Sequence, residues 1–315
     1  MVELEYIFER EGQGIMDDFI ASNAKPFVKW VGGKSQLLSE IRANYPDGLG
    51  DKINKYAEPF IGGGAVLFDI LNNYKVDEVY ISDINYELIC TYIAIRDNVN
   101  ELVAILLEME QVYLSASTDE RKIIYYDNRD RFNEIKAITN NKIAIAALFV
   151  FLNKTCFNGL YRVNRKGGFN VPQGEYKNPC ICDTENLRAV SKKLANVKIV
   201  CGDYKLSADF VDDNTFVYFD PPYRPLTETS SFTSYSKDGF NDDSQVELAK
   251  YIDLLAKRGA YTLVSNSDPK NADENDTFFD KLYSNHRILR IQANRAINSN
   301  GTKRGKINEL LIANL

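Results

Sequence analysis

The sequence predicts an α/β protein: a doubly wound, mostly parallel sheet with a long helical insertion. Three observations carry this. Short apolar, β-rich runs alternate with helix-patterned stretches in both halves of the chain. Several of the runs end in glycines or acidic residues, as ligand-binding edges of open α/β sheets do. Between the second and third strands, residues 86–190 lose the alternation and read as helices.

Composition sets the outer bounds. A chain of 315 residues can bury a large core, in one domain or two. Its hydrophobic fraction of 44% and charged fraction of 26% place it with ordinary globular proteins, not disordered ones. No apolar run reaches membrane-spanning length, and residues 1–20 are acidic instead of forming a signal peptide, so a cytoplasmic protein is expected. Cys90, Cys156, Cys180, Cys182 and Cys201 are scattered and odd in number, and need no disulfide. The net charge of −6 lacks the overall basic footprint of a nucleic-acid binder. Such a partner therefore requires a local concentration of positive charge.

Residues 1–20 read as an extension outside the main fold. Residues 25–35 place the only tryptophan, Trp30, beside Gly32, Gly33 and Lys34, ahead of a helix-like stretch over Gln36–Tyr45. A P-loop needs a glycine five residues before Gly33, and Val28 stands there. Backbone N–H groups and a lysine at a helix start can still hold a carboxylate. A capped loop with a buried Trp explains the same residues. Next, a short strand runs through Glu58-Pro59-Phe60 into Gly62-Gly63-Gly64 and an apolar helix. Glycines there let the backbone approach a ligand closely. Leu67 occupies the last glycine position of the dinucleotide fingerprint, so a cofactor without a pyrophosphate suits the turn better. A second strand over 77–83 ends in Asp83, placed for a ribose hydroxyl pair or as the cap of the following helix.

Within the insertion, helical patterns cover about 86–113, 119–137 and 142–153. Residues 153–177 then carry Lys154, Arg162, Arg165, Lys166 and Lys177 against Glu175 alone, a local +4 in an acidic chain. Arg165–Gly168 reads as a hairpin turn. Interleaved Asn, Tyr and Gly suit phosphate contacts and base-edge readout, though a solvated hairpin has the same composition.

A third strand over 197–204 carries Asp203 and Tyr204. The fourth, Thr215–Phe219, leads into Asp220-Pro221-Pro222-Tyr223. This rigid polar lip fits transfer to an exocyclic amine on a flat ring. The lone pair of such an amine is delocalised into the ring. Two acceptors, the Asp220 carboxylate and a backbone carbonyl, can hold both N–H groups and leave the lone pair to attack. Proline fixes φ and removes a competing donor. Tyr223 can stack on the ring, at roughly 1–3 kcal/mol per stacked base. A Pro-rich turn with a core tyrosine is the plainer alternative. A polar loop over 224–241, with Phe232, Tyr235 and Phe240, is long enough for a lid or a DNA-facing segment. A helix over 243–258, a strand over 261–266, a helical stretch near 274–284 and a strand over 286–292 follow. A basic loop (293–306, with Arg295, Lys303, Arg304 and Lys306) precedes a last strand over 307–314 that closes the sheet.

From residue 25 onward the chain resembles the Dam-like DNA adenine-N6 methyltransferases in their α-type motif order. The resemblance rests on Lys29-Trp30 with Gly32-Gly33-Lys34, Glu58-Pro59-Phe60 with Gly62–Gly64, and Ser82-Asp83-Ile84-Asn85. It continues through Asn158–Asn164, Asn170-Val171-Pro172, Gly202-Asp203-Tyr204 and Asp220–Tyr223. It implies a Rossmann-like methyltransferase sheet with S-adenosylmethionine as cofactor. Trp30, Lys34 and Phe60 with Gly62, Gly63 and Gly64 would hold the methionine part, Asp83 the ribose, and Asp203 with Tyr204 the adenine. A target adenine flipped from double-stranded DNA would present N6 to Asp220 and the Pro221 carbonyl, with Pro222 shaping the lip and Tyr223 stacked on the base. The transfer would need no metal and no covalent intermediate. The 158–176 region resembles the subgroup that reads GATC. There Lys25, Asn158, Leu160, Arg162 and Pro172 match DNA-contacting positions, and Arg165 and Tyr176 belong to the same surface. Gln173 departs from that pattern, where an aromatic is expected. A monomer is the default expectation, and action alone or beside a restriction endonuclease stays open at this point.

Other chemistries fit less well. N4-cytosine methylation uses nearly the same site, and Asp220 in place of Ser favours adenine; an adenine enzyme with another recognition sequence is also consistent. Cytosine-C5 chemistry would need Pro179-Cys180 in a context it lacks. Glutamine methylation of a protein pairs with Asn-Pro-Pro-Tyr and leaves the basic insertion without purpose. Zinc binding through Cys180 and Cys182 lacks a second pair, since the only histidine is His286. A non-catalytic DNA binder predicts damaged motifs, and none is visible.

Overall fold

In the computed structural model, residues 23–138, 140–224, 240–294 and 306–314 are described. The sheet has seven strands in the order β3-β2-β1-β4-β5-β7-β6. They are β1 (Lys55–Glu58), β2 (Glu78–Asp83), β3 (Val197–Cys201), β4 (Thr215–Phe219), β5 (Tyr261–Ser267), β6 (Arg287–Asn294) and β7 (Lys306–Ala313). β1 to β5 pair in parallel, and β7 runs antiparallel to both neighbours. The closing strand is thus inside the sheet, between β5 and β6, and not at its edge. Its apolar Leu310–Ala313 are buried, in keeping with an interior position.

Strand residues alternate between two cores. Tyr56, Ile81, Tyr218 and Leu263 face one; Ala57, Tyr80, Val217, Phe219 and Val264 face the other. Helices cover both faces, as the doubly wound expectation requires. Eight α-helices occur among the described residues: α1 (Leu38–Arg42), α2 (Ala65–Asn73), α3 (Tyr86–Ser115), α4 (Thr118–Ile138), α5 (Lys142–Thr155), α6 (Thr184–Leu194), α7 (Asp242–Lys257) and α8 (Phe278–Leu282). The helix expected from Gln36 to Tyr45 is shorter, a 3-10 turn at Lys34–Gln36 followed by α1.

The insertion lies where expected, between β2 and β3, and opens with α3, α4 and α5. Nine consecutive residues of α5, Ile145 to Asn153, are buried. A helix apolar all round must sit inside, and α5 packs between α3 and α4. Its Phe149 and Phe151 belong to the same core cluster as Tyr56 of the sheet.

β3 stops at Cys201, so Asp203 lies in the turn beyond it. The predicted extension (1–20), most of the polar loop with Phe232 and Tyr235, and the basic residues Arg295, Lys303 and Arg304 fall outside the described residues.

Candidate active site

The carboxyl ends of β3, β2, β1 and β4 lie side by side, because these strands are parallel neighbours. They present Asp203, Asp83, the glycine turn and Asp220 in that order. Residues as far apart in sequence as Gly62 and Asp220 therefore share one edge, the edge where open α/β sheets bind ligands.

The glycine turn is built around Trp30. Gly62 has φ +45°, and a Cβ there would lie 2.8 Å from the indole. Gly64 has φ +72°, with space for a Cβ taken by the Tyr92 hydroxyl. That hydroxyl donates to the Gly62 carbonyl at 3.1 Å. Asp83 accepts the Gly62 N–H at 3.1 Å and the Asn85 N–H at 2.9 Å. The cap of α3 is Asn85, which accepts from Leu88 N–H, so Asp83 is not the helix cap. Burial raises its carboxyl pKa, opposed by these backbone donors. Phe60 stacks on Tyr204 with centroids 5.3 Å apart. Tyr204 itself is only 5% exposed and packs on Tyr251, whereas Asp203 is exposed and caps a 3-10 turn through the Lys205 N–H.

At the lip, the buried Lys34 ammonium lies 2.7 Å from each Asp220 carboxylate oxygen. It also donates to the Gly32 carbonyl at 2.6 Å and sits 4.8 Å from the centre of the Tyr223 ring. Burial raises the Asp220 carboxyl pKa; Lys34 opposes this and Glu309 adds to it. Tyr223 donates its hydroxyl hydrogen to Glu309 at 2.7 Å. Gln245 is fully buried on α7 and donates to the Pro222 carbonyl at 3.1 Å. Its own carbonyl accepts from Asn266, at the end of β5. Arg224 is held by Asp242 and Asp276 and stacks on Phe278. Beneath the site Glu58 is 3% exposed and accepts from the Tyr56 hydroxyl at 2.7 Å. Burial holds its carboxyl well above the usual range.

The basic segment forms a hairpin-like loop, bridged by Cys156 with Gln173 and Val163 with Phe169, not by extended strands. The Gly167 N–H donates to the Asn164 carbonyl and closes the turn. Arg165 and Pro172 are exposed; Leu160 is partly buried. Asn158 is left-handed at φ +55°, a conformation Asn tolerates, and stands beside exposed Phe157. Arg162 donates to the Asn170 side chain at 2.8 Å, which fixes the guanidinium. Gln173 turns inward to the Tyr113 hydroxyl at 2.8 Å. Tyr176 lies under the Lys29 ammonium at 4.2 Å. Lys25 is exposed, its backbone clasped by Asn186.

The hairpin is tied to the glycine turn. Trp30 stacks on Tyr161 at 6.1 Å. Asn153 bonds the Lys29 N–H, the Lys29 carbonyl and the Gly159 carbonyl. Lys136 joins Glu87 to the Gly167 carbonyl. Glu309, Gln245 and Phe157 were not singled out from sequence, and Glu58 was read only as part of the Glu58-Pro59-Phe60 run. Gln245 stands in the polar first turn of α7 and Glu309 beside Asn308 in β7, and only their partners give them meaning.

The sheet order and its glycine-lined edge define a Rossmann-like methyltransferase. The family described as D12 class N6 adenine-specific DNA methyltransferase matches residues 30–297, and the chain belongs to it. It is 51% identical to "Type II methyltransferase M.MjaIII" of Methanocaldococcus jannaschii, covering 92% of this chain and 99% of that one. It is 38% identical to "Type II methyltransferase M1.LlaDCHI" of Lactococcus lactis subsp. cremoris (93% and 96% covered). It is 33% identical to the "DNA adenine methylase" of Escherichia coli K12 (91% and 94%). The chain is thus an adenine-specific DNA methyltransferase.

Proposed function

We propose that the methyl donor is S-adenosylmethionine and that the acceptor is N6 of an adenine flipped from duplex DNA, within GATC. The observation that carries the reading is the adjacency of β1 and β4: it brings the glycine turn and the Asp220 lip together. The edge suits this cofactor. Asp83 and Asp203 offer acceptors to hydroxyl and amine groups, and the turn offers backbone with no Cβ in the way. Trp30, Lys34, Phe60, Gly62, Gly63, Gly64, Asp83 and Asp203 would line the site. Tyr204, being buried, acts by supporting Phe60. When bound, the cofactor supplies an electrophilic sulfonium methyl.

The chain's own part is positioning. Asp220 and the Pro221 carbonyl accept the two N6 hydrogens, leaving the lone pair directed at the methyl. The Lys34 ion pair keeps Asp220 ionised against its burial. Tyr223 holds the ring by stacking, and Gln245 fixes the lip through Pro222. Such fixed dipoles and pre-set geometry account for the rate. On the hairpin, Arg162 is oriented for a base edge, Arg165 and Lys25 for phosphates, and Asn158, Leu160, Pro172 and Tyr176 for the groove surface. Exposed Phe157 suits insertion into the stack. The 86–190 insertion is the recognition unit, within a 21–85 and 191–315 catalytic domain. Two relatives bear Type II names, which supports a companion endonuclease; a cytoplasmic monomer is the simplest form.

Purified protein with S-adenosylmethionine and matched GATC and GTTC duplexes, analysed by nucleoside mass spectrometry, tests this. N6-methyladenine on GATC alone, absent with Asp220→Ala, is expected. Methylation of both duplexes would overturn the GATC reading. Methylcytosine would replace the acceptor.

A further inference from the structure

Tyr223 and Glu309 meet from separate parts of the chain. Tyr223 follows β4, and Glu309 stands in β7, two strands away across β5. The phenol donates to Glu309 Oε2 at 2.7 Å, and the Tyr223 ring also faces the Lys34 ammonium. Glu309 pairs in register with Ser267 of β5 and Ile291 of β6, so the sheet fixes its backbone on both sides. Glu309 is partly buried, and Leu310 to Ala313 directly after it are buried. A carboxylate at such a position is costly to desolvate unless it meets a donor. The Tyr223 hydroxyl is that donor, and no cation is paired with Glu309 among the described residues. The phenol oxygen lies on the axis of the second torsion, so a fixed acceptor sets the first torsion through the oxygen's position and sets the ring plane through the preference of a phenolic O–H to lie in that plane.

We infer that Glu309 is a positioning residue for base capture, fixing the plane of the Tyr223 ring by accepting its hydroxyl hydrogen. This rests on the reading of Tyr223 as the residue stacked on the target base. The antiparallel strand β7 thereby does more than complete the sheet: it brings a second carboxylate to the lip and sets the surface against which the base lies. Gln245 fixes the lip backbone; Glu309 fixes its ring.

The test is a double-mutant cycle between Tyr223→Phe and Glu309→Ala, with Glu309→Gln and Tyr223→Ala as companions. The substrate is unmethylated phage DNA, which makes the readout independent of the recognition sequence. Loss of a hydrogen bond to a charged acceptor is expected to lower kcat by about ten- to a hundredfold in Glu309→Ala. Calorimetric affinity for S-adenosylmethionine should stay within about twofold, since the lip is not the cofactor edge. Tyr223→Phe should fall comparably, and the double variant no further than either single. Glu309→Gln keeps an acceptor for the phenol and should recover most of the loss. Independent, multiplying effects in the cycle would overturn the inference, as would full activity in Glu309→Ala. Full activity in Tyr223→Ala would instead sink the stacking reading on which it rests. If Glu309→Ala does not fold, Tyr223→Phe removes the same bond from the other side, and its full activity would equally overturn the inference.

Discussion

Lys34 and Asp220 lie 186 residues apart in sequence and form one ion pair, the ammonium 2.7 Å from each carboxylate oxygen. Lys34 has a side chain only 5% exposed. The pair joins the Trp30 segment to the lip after β4, so cofactor edge and acceptor edge share a charge.

Asp220→Ala should abolish methylation and also destabilise the fold, because it leaves a buried ammonium with only the Gly32 carbonyl. Breaking a buried pair by removing one partner typically costs about 3–5 kcal/mol; Asp220 is 21% exposed, which places it at the low end. Asp220→Asn keeps an acceptor for Lys34. The expected order of melting temperature is wild type, then Asn, then Ala, with both variants inactive. Equal melting temperatures would refute the ion pair's structural role.

Activity should have an acid limb above the ordinary aspartate value of 3.8. The sign follows from Asp220: burial raises its pKa, so the neutral form persists to higher pH and the active carboxylate appears as pH rises through the raised value. Glu309 raises it further. In Glu309→Gln the limb should therefore move to lower pH. Profiles of kcat/KM for both proteins check this; an unmoved limb would exclude the coupling.

Glu58→Gln should stabilise the protein, more at pH 8 than at pH 5. The folded carboxyl pKa is raised above 4.5, chiefly by burial. Its stability contribution is thus full below 4.5 and is lost as pH rises through the raised value. A neutral amide removes that loss while still accepting from Tyr56. Melting curves at the two pH values measure the difference.

Gly62→Ala should weaken cofactor binding without unfolding the sheet. The left-handed φ and the Trp30 contact at 2.8 Å both oppose a Cβ. Strain of about 1–3 kcal/mol predicts roughly a five- to hundredfold weaker affinity by calorimetry. An unchanged affinity would remove the turn from the cofactor site.

Arg162 and Arg165 should differ in kind. Arg162 is oriented by Asn170, so Arg162→Ala should relax specificity at one base pair, by about 1–3 kcal/mol. Arg165→Ala should weaken all sequences alike and reduce the salt slope by about 1. Binding to duplexes varied at each position, over a salt series, separates the two.

Much of this was legible beforehand. The strands, the helices of the insertion and the lip follow from local periodicity and from motifs whose residues are contiguous. The place of the last strand was not, because pairing partners are chosen by burial of Leu310–Ala313 between neighbours. Gln173 broke an expected pattern for a reason visible only in space: its amide satisfies the Tyr113 hydroxyl.

The sequence alone determined the chemistry of each strand end, since glycine, aspartate and proline impose their conformations and charges locally. Tertiary structure decided which of those ends touch. Lys34 reached Asp220, Glu309 reached Tyr223 and Gln245 reached Pro222 only once strand pairing, antiparallel in the case of β7, and the packing of α7 laid distant segments side by side. Such contacts are set by strand order and core packing, which no single stretch of the chain encodes.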